Sequence, residues 1–537
     1  MSFMYVAGSQ LDRYDTLDLL DKLFYIKWLA GSGISFALIC LIWGYVDKIS
    51  ARSKSLGTGT EQSVTATGRE GKESSLFCGH LFYTGIMLLC WLPALLSILP
   101  GVFSYDAYTE WEQVKTGMIT SHHPVIHVLL VGGLLELFYR ITGSYNVGIG
   151  VYTLLQMLLT ANALALTITY MRKRGIGRGA RIMTLLFYSL SPVFQLFSIC
   201  TTKDVLFTAC QLLFMISVLR MLGEQDHFFS DIRIQTGFVL TVFGTMTLRN
   251  NGFYIALVML AVLLFFCRKY RKRYVLLASA SLLLYGAYVG PVYSLLSVTP
   301  GGVEEMLSVP IQQMARVYHY DYDSLDGADL DLLYRILPRE NLDNYKPTVA
   351  DPVKCGFDRE GFAKNRGEFF GLWARWGLEH PLTYINSFLV STVDFWYPGA
   401  VMDGYKDPYG RSSYFDYRVA EPGEEIVLLQ GFHDFYERLS WDREAQKKPL
   451  AFLVLSPGWY FLVFLLVFMY LWLRKKRRLQ VPLLIPLLTM ATALLGPMAL
   501  VRYVLIFFYS FPLVLAMFLK PQAFEGEENA AISDTGK

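Results

Sequence analysis

Charge is scarce in this chain. Asp, Glu, Lys and Arg make up only 17% of its 537 residues, against roughly 25% in a globular protein. So few charged side chains cannot cover a soluble surface of this size. The same figures exclude a disordered, collagenous or coiled-coil chain. The formal net charge of +3 is too small to recruit a nucleic acid. Cysteine is nearly missing from the polar parts. Cys40, Cys78, Cys90, Cys200, Cys210 and Cys267 lie in or beside apolar runs, where cysteine acts as a small hydrophobe. Cys355 stands alone in the long hydrophilic stretch, which therefore has no internal disulfide. No CxxC or zinc-ribbon spacing occurs. No internal repeat is evident, which argues against a transporter built from inverted halves. The first residues lack the basic stretch of a signal peptide, because Asp12, Asp15, Asp18 and Asp21 precede the first apolar run.

Long apolar runs are what the chain has instead. It is 53% hydrophobic and 15% aromatic, which predicts an all-α polytopic membrane protein. A bilayer-crossing helix needs about 20 apolar residues. Runs near 28–46, 81–99, 145–170, 182–200, 204–222, 236–250, 252–267, 274–298, 453–473, 481–500 and 502–519 give about 11 transmembrane helices. A shorter run, 125–139, follows Pro124 and reads as a helix on the membrane surface. Basic clusters set the orientation. They lie at Lys48–Lys72, Arg172–Arg181, Arg268–Arg273 and Arg474–Arg478. All four fall on the cytoplasmic side if 125–139 does not cross. Residues 1–80 then form an extra span and a flexible cytoplasmic linker, Gly-, Ser- and Thr-rich over 50–75. Residues 81–298 form the transmembrane core and 299–452 a mainly helical extracytoplasmic domain. Residues 453–519 close the membrane part, and 520–537 are an acidic cytoplasmic tail. Within the outer domain, Trp373, Trp376 and the stretch 381–397 suggest aromatic helices at the interface. Asp321–Asp331 misses calcium-loop spacing and reads as a solvated acidic turn.

With this topology the charges that orientation does not explain gather on the outer face. They are Asp106, Glu110, His122, His123, Lys203, Asp204, Arg249 and Arg502, with Asn250 and Tyr503 beside them. A charge near membrane depth costs about 2.5–3.5 kcal/mol. Three cations and an early carboxylate on one face suggest a site for something anionic. Each residue also has a plainer reading. Lys203 and Asp204 make a solvated neighbouring pair, Arg502 snorkels to head groups, and Asp106 caps a helix starting at Ala107. Ser104 is placed to do that capping instead. His122, His123 and His127 match no strong metal spacing.

Five short stretches carry a family resemblance. They are PGVFSYD at Pro100–Asp106, SHHP at Ser121–Pro124, TKD at Thr202–Asp204, LRNNG at Leu248–Gly252 and LVRY at Leu500–Tyr503. In this order and on one face, they resemble the GT-C glycosyltransferases, membrane enzymes that use polyprenyl-phosphate-linked sugars. The resemblance covers residues 81–519 and is to a bacterial branch of that superfamily. It implies a catalytic or metal-binding carboxylate at Asp106, followed by surface helices over 107–120 and 125–139. It also implies a multi-pass protein of the bacterial cytoplasmic membrane with its site facing outside. There it would move a hexosyl or pentosyl group to a cell-envelope glycan, lipid or protein. The chain departs from the pattern by its extra N-terminal span. It also lacks the adjacent acidic pair of some members and has Glu110 one turn on. Dependence on Mg²⁺ or Mn²⁺ therefore stays open, and no metal ligands are assigned.

The chemistry can be argued without the resemblance. Glycosyl transfer needs a carboxylate to take the acceptor proton and positive charge for the departing phosphate. Asp106 is the candidate base. Lys203, Arg249 and Arg502 are candidate phosphate ligands, with Tyr503 as a hydroxyl donor. Glu110, His122, His123, Asp204, Asn250, Gln312 and Arg316 are candidates for binding the acceptor or orienting the others. Trp373, Trp376 and Trp396 are expected to anchor at the interface rather than stack on sugar. Three alternatives stand beside this reading. A polysaccharide polymerase acting on lipid-linked repeats would share these features. A lipid or glycan transporter would place ionisable groups deep within spans. An assembly protein would leave the outer cations unexplained.

Overall fold

The computed structural model describes residues 1–56, 67–400 and 414–525. Among these the chain is helical, with isolated β-bridges and no strand. The first nine helices are α1 (Ser2–Tyr14), α2 (Lys22–Leu56), α3 (Thr67–Ser97), α4 (Ala107–Thr116), α5 (Val125–Thr142), α6 (Tyr145–Lys173), α7 (Arg178–Leu190), α8 (Pro192–Ser198) and α9 (Lys203–Gly223). Then come α10 (Gln225–Ser230), α11 (Ile232–Thr247), α12 (Gly252–Phe266) and α13 (Arg271–Ala287). Seven helices are long and apolar enough to cross a membrane, or eight if the bent pair α7–α8 counts as one span. Two shorter apolar helices, Gly252–Phe266 and Pro457–Leu473, accompany them. The protein is therefore a helical membrane protein.

Ion pairs and hydrogen bonds define two opposite ends. At one, Arg174 at the end of α6 pairs with Glu224 after α9 at 3.0 Å. There too Lys520 donates to the Gly175 carbonyl at 3.1 Å, and Arg474 pairs with Asp47 of α2. The helix α9 starts at the other end, beside Asp106, and its 21 residues cover about 31 Å. That is one hydrocarbon thickness. The basic clusters at Arg172–Arg181 and Arg474–Arg478 thus lie at one end, and Asp106 with the start of α9 at the opposite one.

The helix α5 is longer than the 125–139 run, reaching Thr142, and it passes the length and composition test for a span. Its contacts tie both of its ends to the first two turns of α6. His127 at its start bonds Tyr152 at 2.7 Å, and Tyr139 near its end stacks on Tyr145 at 4.1 Å. Twelve residues of α5 rise about 18 Å while the seven from Tyr145 to Tyr152 rise about 10 Å. The helix therefore runs oblique to its neighbour.

The loop carrying Asp106 is stitched to the start of the outer segment and to its later part. Leu99 and Ile426 exchange backbone hydrogen bonds at 2.9 Å, and Ala420 donates to the Phe103 carbonyl at 2.7 Å. Further on, Ser121 donates to the Thr299 carbonyl at 2.8 Å, and Thr299 to Ile119 at 3.0 Å. Gly101 has φ +124°, and a Cβ there would meet Thr153 Oγ1 at 2.4 Å, so this turn requires glycine.

Several expectations are corrected. The linker foreseen over 50–75 is narrower, because α2 runs to Leu56 and α3 starts at Thr67. Residues 57–66 and the tail 526–537 lie outside the described residues. Trp373, Trp376 and Trp396 do not anchor at an interface. Trp376 is buried in the outer segment's own core, Trp373 packs beside it, and Trp396 belongs to the main core. Of the acidic turn, Asp321 bonds Thr383 at 2.7 Å and Asp329 pairs with Arg375. These two brace the helices that follow rather than facing solvent.

Candidate functional site

The sequence of α9 opens with a built helix start. Thr202 is its N-cap, and its hydroxyl donates to Asp204 Oδ2 at 3.1 Å. Asp204 in the first turn suits the positive end of the helix dipole. Lys203 beside it does not, and it is offset by carboxylates from other elements. Lys203 Nζ lies 2.7 Å from Asp106 Oδ2 and 3.5 Å from Glu110 Oε1. It also bonds His123 Nδ1 at 3.1 Å.

Arg502 reaches the same carboxylate from the start of the last long helix. Its Nη1 donates to Asp106 Oδ2 at 3.0 Å and lies 3.4 Å from Asp204 Oδ2. Its guanidinium stands over the Tyr105 ring at 4.4 Å. Arg249, from the turn between α11 and α12, pairs with Asp204 Oδ1 at 2.9 Å and stands over the Tyr503 ring at 4.3 Å. Asp106, Lys203, Asp204, Arg249, Arg502 and Tyr503 thus form one cluster, with His123 and Glu110 at its edge. Asp106 sits at the N-cap position of α4 but makes no capping bond. Ser104 Oγ makes none either. The carboxylate is turned to the cations instead.

The other candidates are distributed around this cluster. Asn250 donates to the carbonyls of Ser121 at 3.1 Å and His122 at 3.3 Å, which clips the first loop in place. His122 faces away from Lys203, 4.0 Å from Glu305 of the outer segment. Gln312 and Arg316 are not brought to the cluster. Gln312 donates to the Lys346 carbonyl at 2.5 Å, and Arg316 to the Asp15 carbonyl at 2.6 Å. Gln312 holds the outer segment together, and Arg316 ties that segment to the end of α1.

The electrostatics follow from these contacts. Burial would raise the Asp106 carboxyl, but Arg502 and Lys203 outweigh it and hold it well below the usual carboxylate range. Its ion pairs stabilise the fold at neutral pH and are lost only as pH falls through that depressed value. Burial, with Lys203 adding to it, pushes His123 down to about 4, so it is neutral at pH 7. Mg²⁺ and Mn²⁺ take oxygen ligands, and the carboxylates of Asp106 and Asp204 are here paired with Lys203, Arg249 and Arg502. Among the described residues the one metal-like group is His433, Asp434 and Glu437, on a different helix.

Two features had no place in the sequence reading. Tyr105 has φ +53° and carries the ring under Arg502. A left-handed backbone at a bulky residue is strained and clusters at functional sites. The second is the buried chain His127, Tyr152 and Gln156. Its signal was available, since Tyr152 and Gln156 share a face of an apolar helix.

The family described as "Family of unknown function (DUF6020)" matches residues 107–531. The chain belongs to this family. The DUF6020 match includes Lys203, Asp204, Arg249 and Arg502 and begins one residue after Asp106. No curated protein and no solved structure matches the chain.

The turn that presents Arg249 leads to a testable point. A Cβ at Gly252 would lie 1.9 Å from the Thr245 carbonyl oxygen. Gly252→Ala should therefore force the turn apart and cost about 1–3 kcal/mol. Thermal unfolding in detergent reads this directly, and an unchanged transition would refute the close packing.

Proposed function

We propose that the protein is a membrane glycosyltransferase of GT-C type. It would move a sugar from a polyprenyl-phosphate donor to a cell-envelope acceptor. The observation that carries this reading is that Lys203 and Arg502 converge on one oxygen of Asp106, in the first loop at the end opposite the basic clusters. Both cations hold Oδ2, which leaves Oδ1 of the partly exposed Asp106 without a partner among the described residues. An incoming phosphate competes with Asp106 for the same cations. As it takes them, the carboxylate regains basicity and Oδ1 accepts the acceptor's hydroxyl proton. The test is transfer from a labelled polyprenyl-phosphate sugar in proteoliposomes. Absence of both donor binding and transfer across a panel of such sugars would overturn the reading.

Alternation of helix ends between the basic end and the site end supports eleven passes, with α5 along the surface. The positive-inside rule then places the site outside the bacterial cytoplasmic membrane. Cys355 is exposed and should react with an impermeant thiol reagent in intact cells. A cysteine introduced at Lys475, at the basic end, should not. The opposite pattern would invert the orientation.

A further inference from the structure

We propose that Glu110 and His127 form a positioning pair that shares one proton and so leaves Lys203 positive toward an incoming phosphate. The inference rests on the anion-site reading above. The hydrogen-bond chain assigns the protons one after another. Gln156 Nε2 faces the carbonyls of Phe197, Ser198 and Cys200 at 3.3, 3.1 and 2.7 Å. Carbonyl oxygens only accept, so the atom facing them is the amide nitrogen with its two hydrogens, and Gln156 Oε1 points to Tyr152. The Tyr152 hydroxyl gives its single proton to that oxygen at 2.8 Å. It must then accept from His127 Nε2 at 2.7 Å, so Nε2 carries a hydrogen. His127 Nδ1 and Glu110 Oε2 remain, 2.5 Å apart. One proton lies between them, on the imidazole or on the carboxyl. Either way the pair is neutral overall.

That neutrality decides the charge of the cluster. Lys203, Arg249 and Arg502 face the carboxylates of Asp106 and Asp204, which leaves one net positive charge. A bare carboxylate at Glu110, 3.5 Å from Lys203, would cancel it. Both members of the pair are buried, at 0% and 1% exposure, so solvent does not screen them. The groups facing Glu110 are His127, Lys203 and His123, and His127 in turn faces Tyr152. Burial would raise Glu110, but His127 and Lys203 outweigh it and hold it below the ordinary value.

The experiment compares wild type, His127→Gln and His127→Gln/Glu110→Gln. The probe is a polyprenyl monophosphate without sugar, bound to the full chain in nanodiscs from pH 5 to 8. Glutamine fills the imidazole's space but holds no proton to share, so Glu110 becomes a bare anion. Affinity should fall about tenfold or more at neutral pH. The loss should shrink as acid protonates Glu110, and the double variant should recover to within about threefold. A loss that is independent of pH and not recovered by Glu110→Gln means packing alone, and overturns the proposal. If wild type binds no polyprenyl phosphate, the glycosyltransferase reading fails and the pair is decided on the free protein. There His127→Gln should lower the unfolding temperature, less so in acid, with the deficit removed in the double variant. The absence of that pattern overturns the pair.

Discussion

Asp106→Asn should lower glycosyl transfer by about 10²–10⁴-fold, the range typical of a lost general base. The substitution keeps size and the ability to cap a helix, but the amide does not accept a proton at neutral pH. The geometry adds a second expectation. Asp106 occupies Lys203 and Arg502 through one oxygen, so it competes with any phosphate for them. Removing its charge should leave donor binding unchanged or tighter while transfer collapses. This split separates a base from a ligand, whose loss would weaken binding. Membrane insertion should be normal, since no capping bond is lost. Glu112→Gln, at an exposed position on the same helix, should stay near wild type. A fully active Asp106→Asn enzyme would remove Asp106 from the mechanism.

Arg502→Ala should cost about 3–5 kcal/mol of stability, as expected for breaking a buried ion pair. Arg502 is only 6% exposed and serves two carboxylates, Asp106 at 3.0 Å and Asp204 at 3.4 Å. Its loss leaves Asp204, fully buried, with Arg249 alone. It also uncovers the Tyr105 ring. Unfolding in detergent should shift accordingly, and donor binding should be impaired. Arg502→Ala/Asp204→Asn should recover much of the stability without restoring binding, because it removes the stranded charge and not the missing cation. Arg478→Ala, at the basic end, should affect neither. An Arg502→Ala protein as stable as wild type would show that the cluster is solvated and its ion pairs are of little consequence.

The cluster was legible because ionisable side chains at the ends of apolar runs are conspicuous. Asp106, Lys203, Asp204, Arg249 and Arg502 stand out against a background that lacks charge, and helix ends bring them together. Gln312 and Arg316 carry the same polar signal, yet their partners are the Lys346 and Asp15 carbonyls. Residue type alone does not reveal which backbone group a side chain will meet. The tryptophans misled for a related reason. A large aromatic in an amphipathic helix suits an interface and a small core equally well, and Trp376 found Asp329 for its indole at 3.3 Å. The helical class followed from composition. The path of α5 did not, because length and hydropathy describe a span and a buried surface helix alike.

The stitching of the Asp106 loop has a mechanical consequence. The outer segment leaves the membrane part beside Ile119–Ser121 and is tied again, through Ala420 and Ile426, to Leu99–Phe103. Both attachments are backbone hydrogen bonds, and Asp106 lies on the short strip of chain between them. Force applied near either attachment, by a bound glycan or a neighbouring protein, is passed to this strip. The carboxylate therefore sits on a lever arm shared by the first loop and the outer segment, and a tilt of the segment at either attachment bears on its pairing with Lys203 and Arg502.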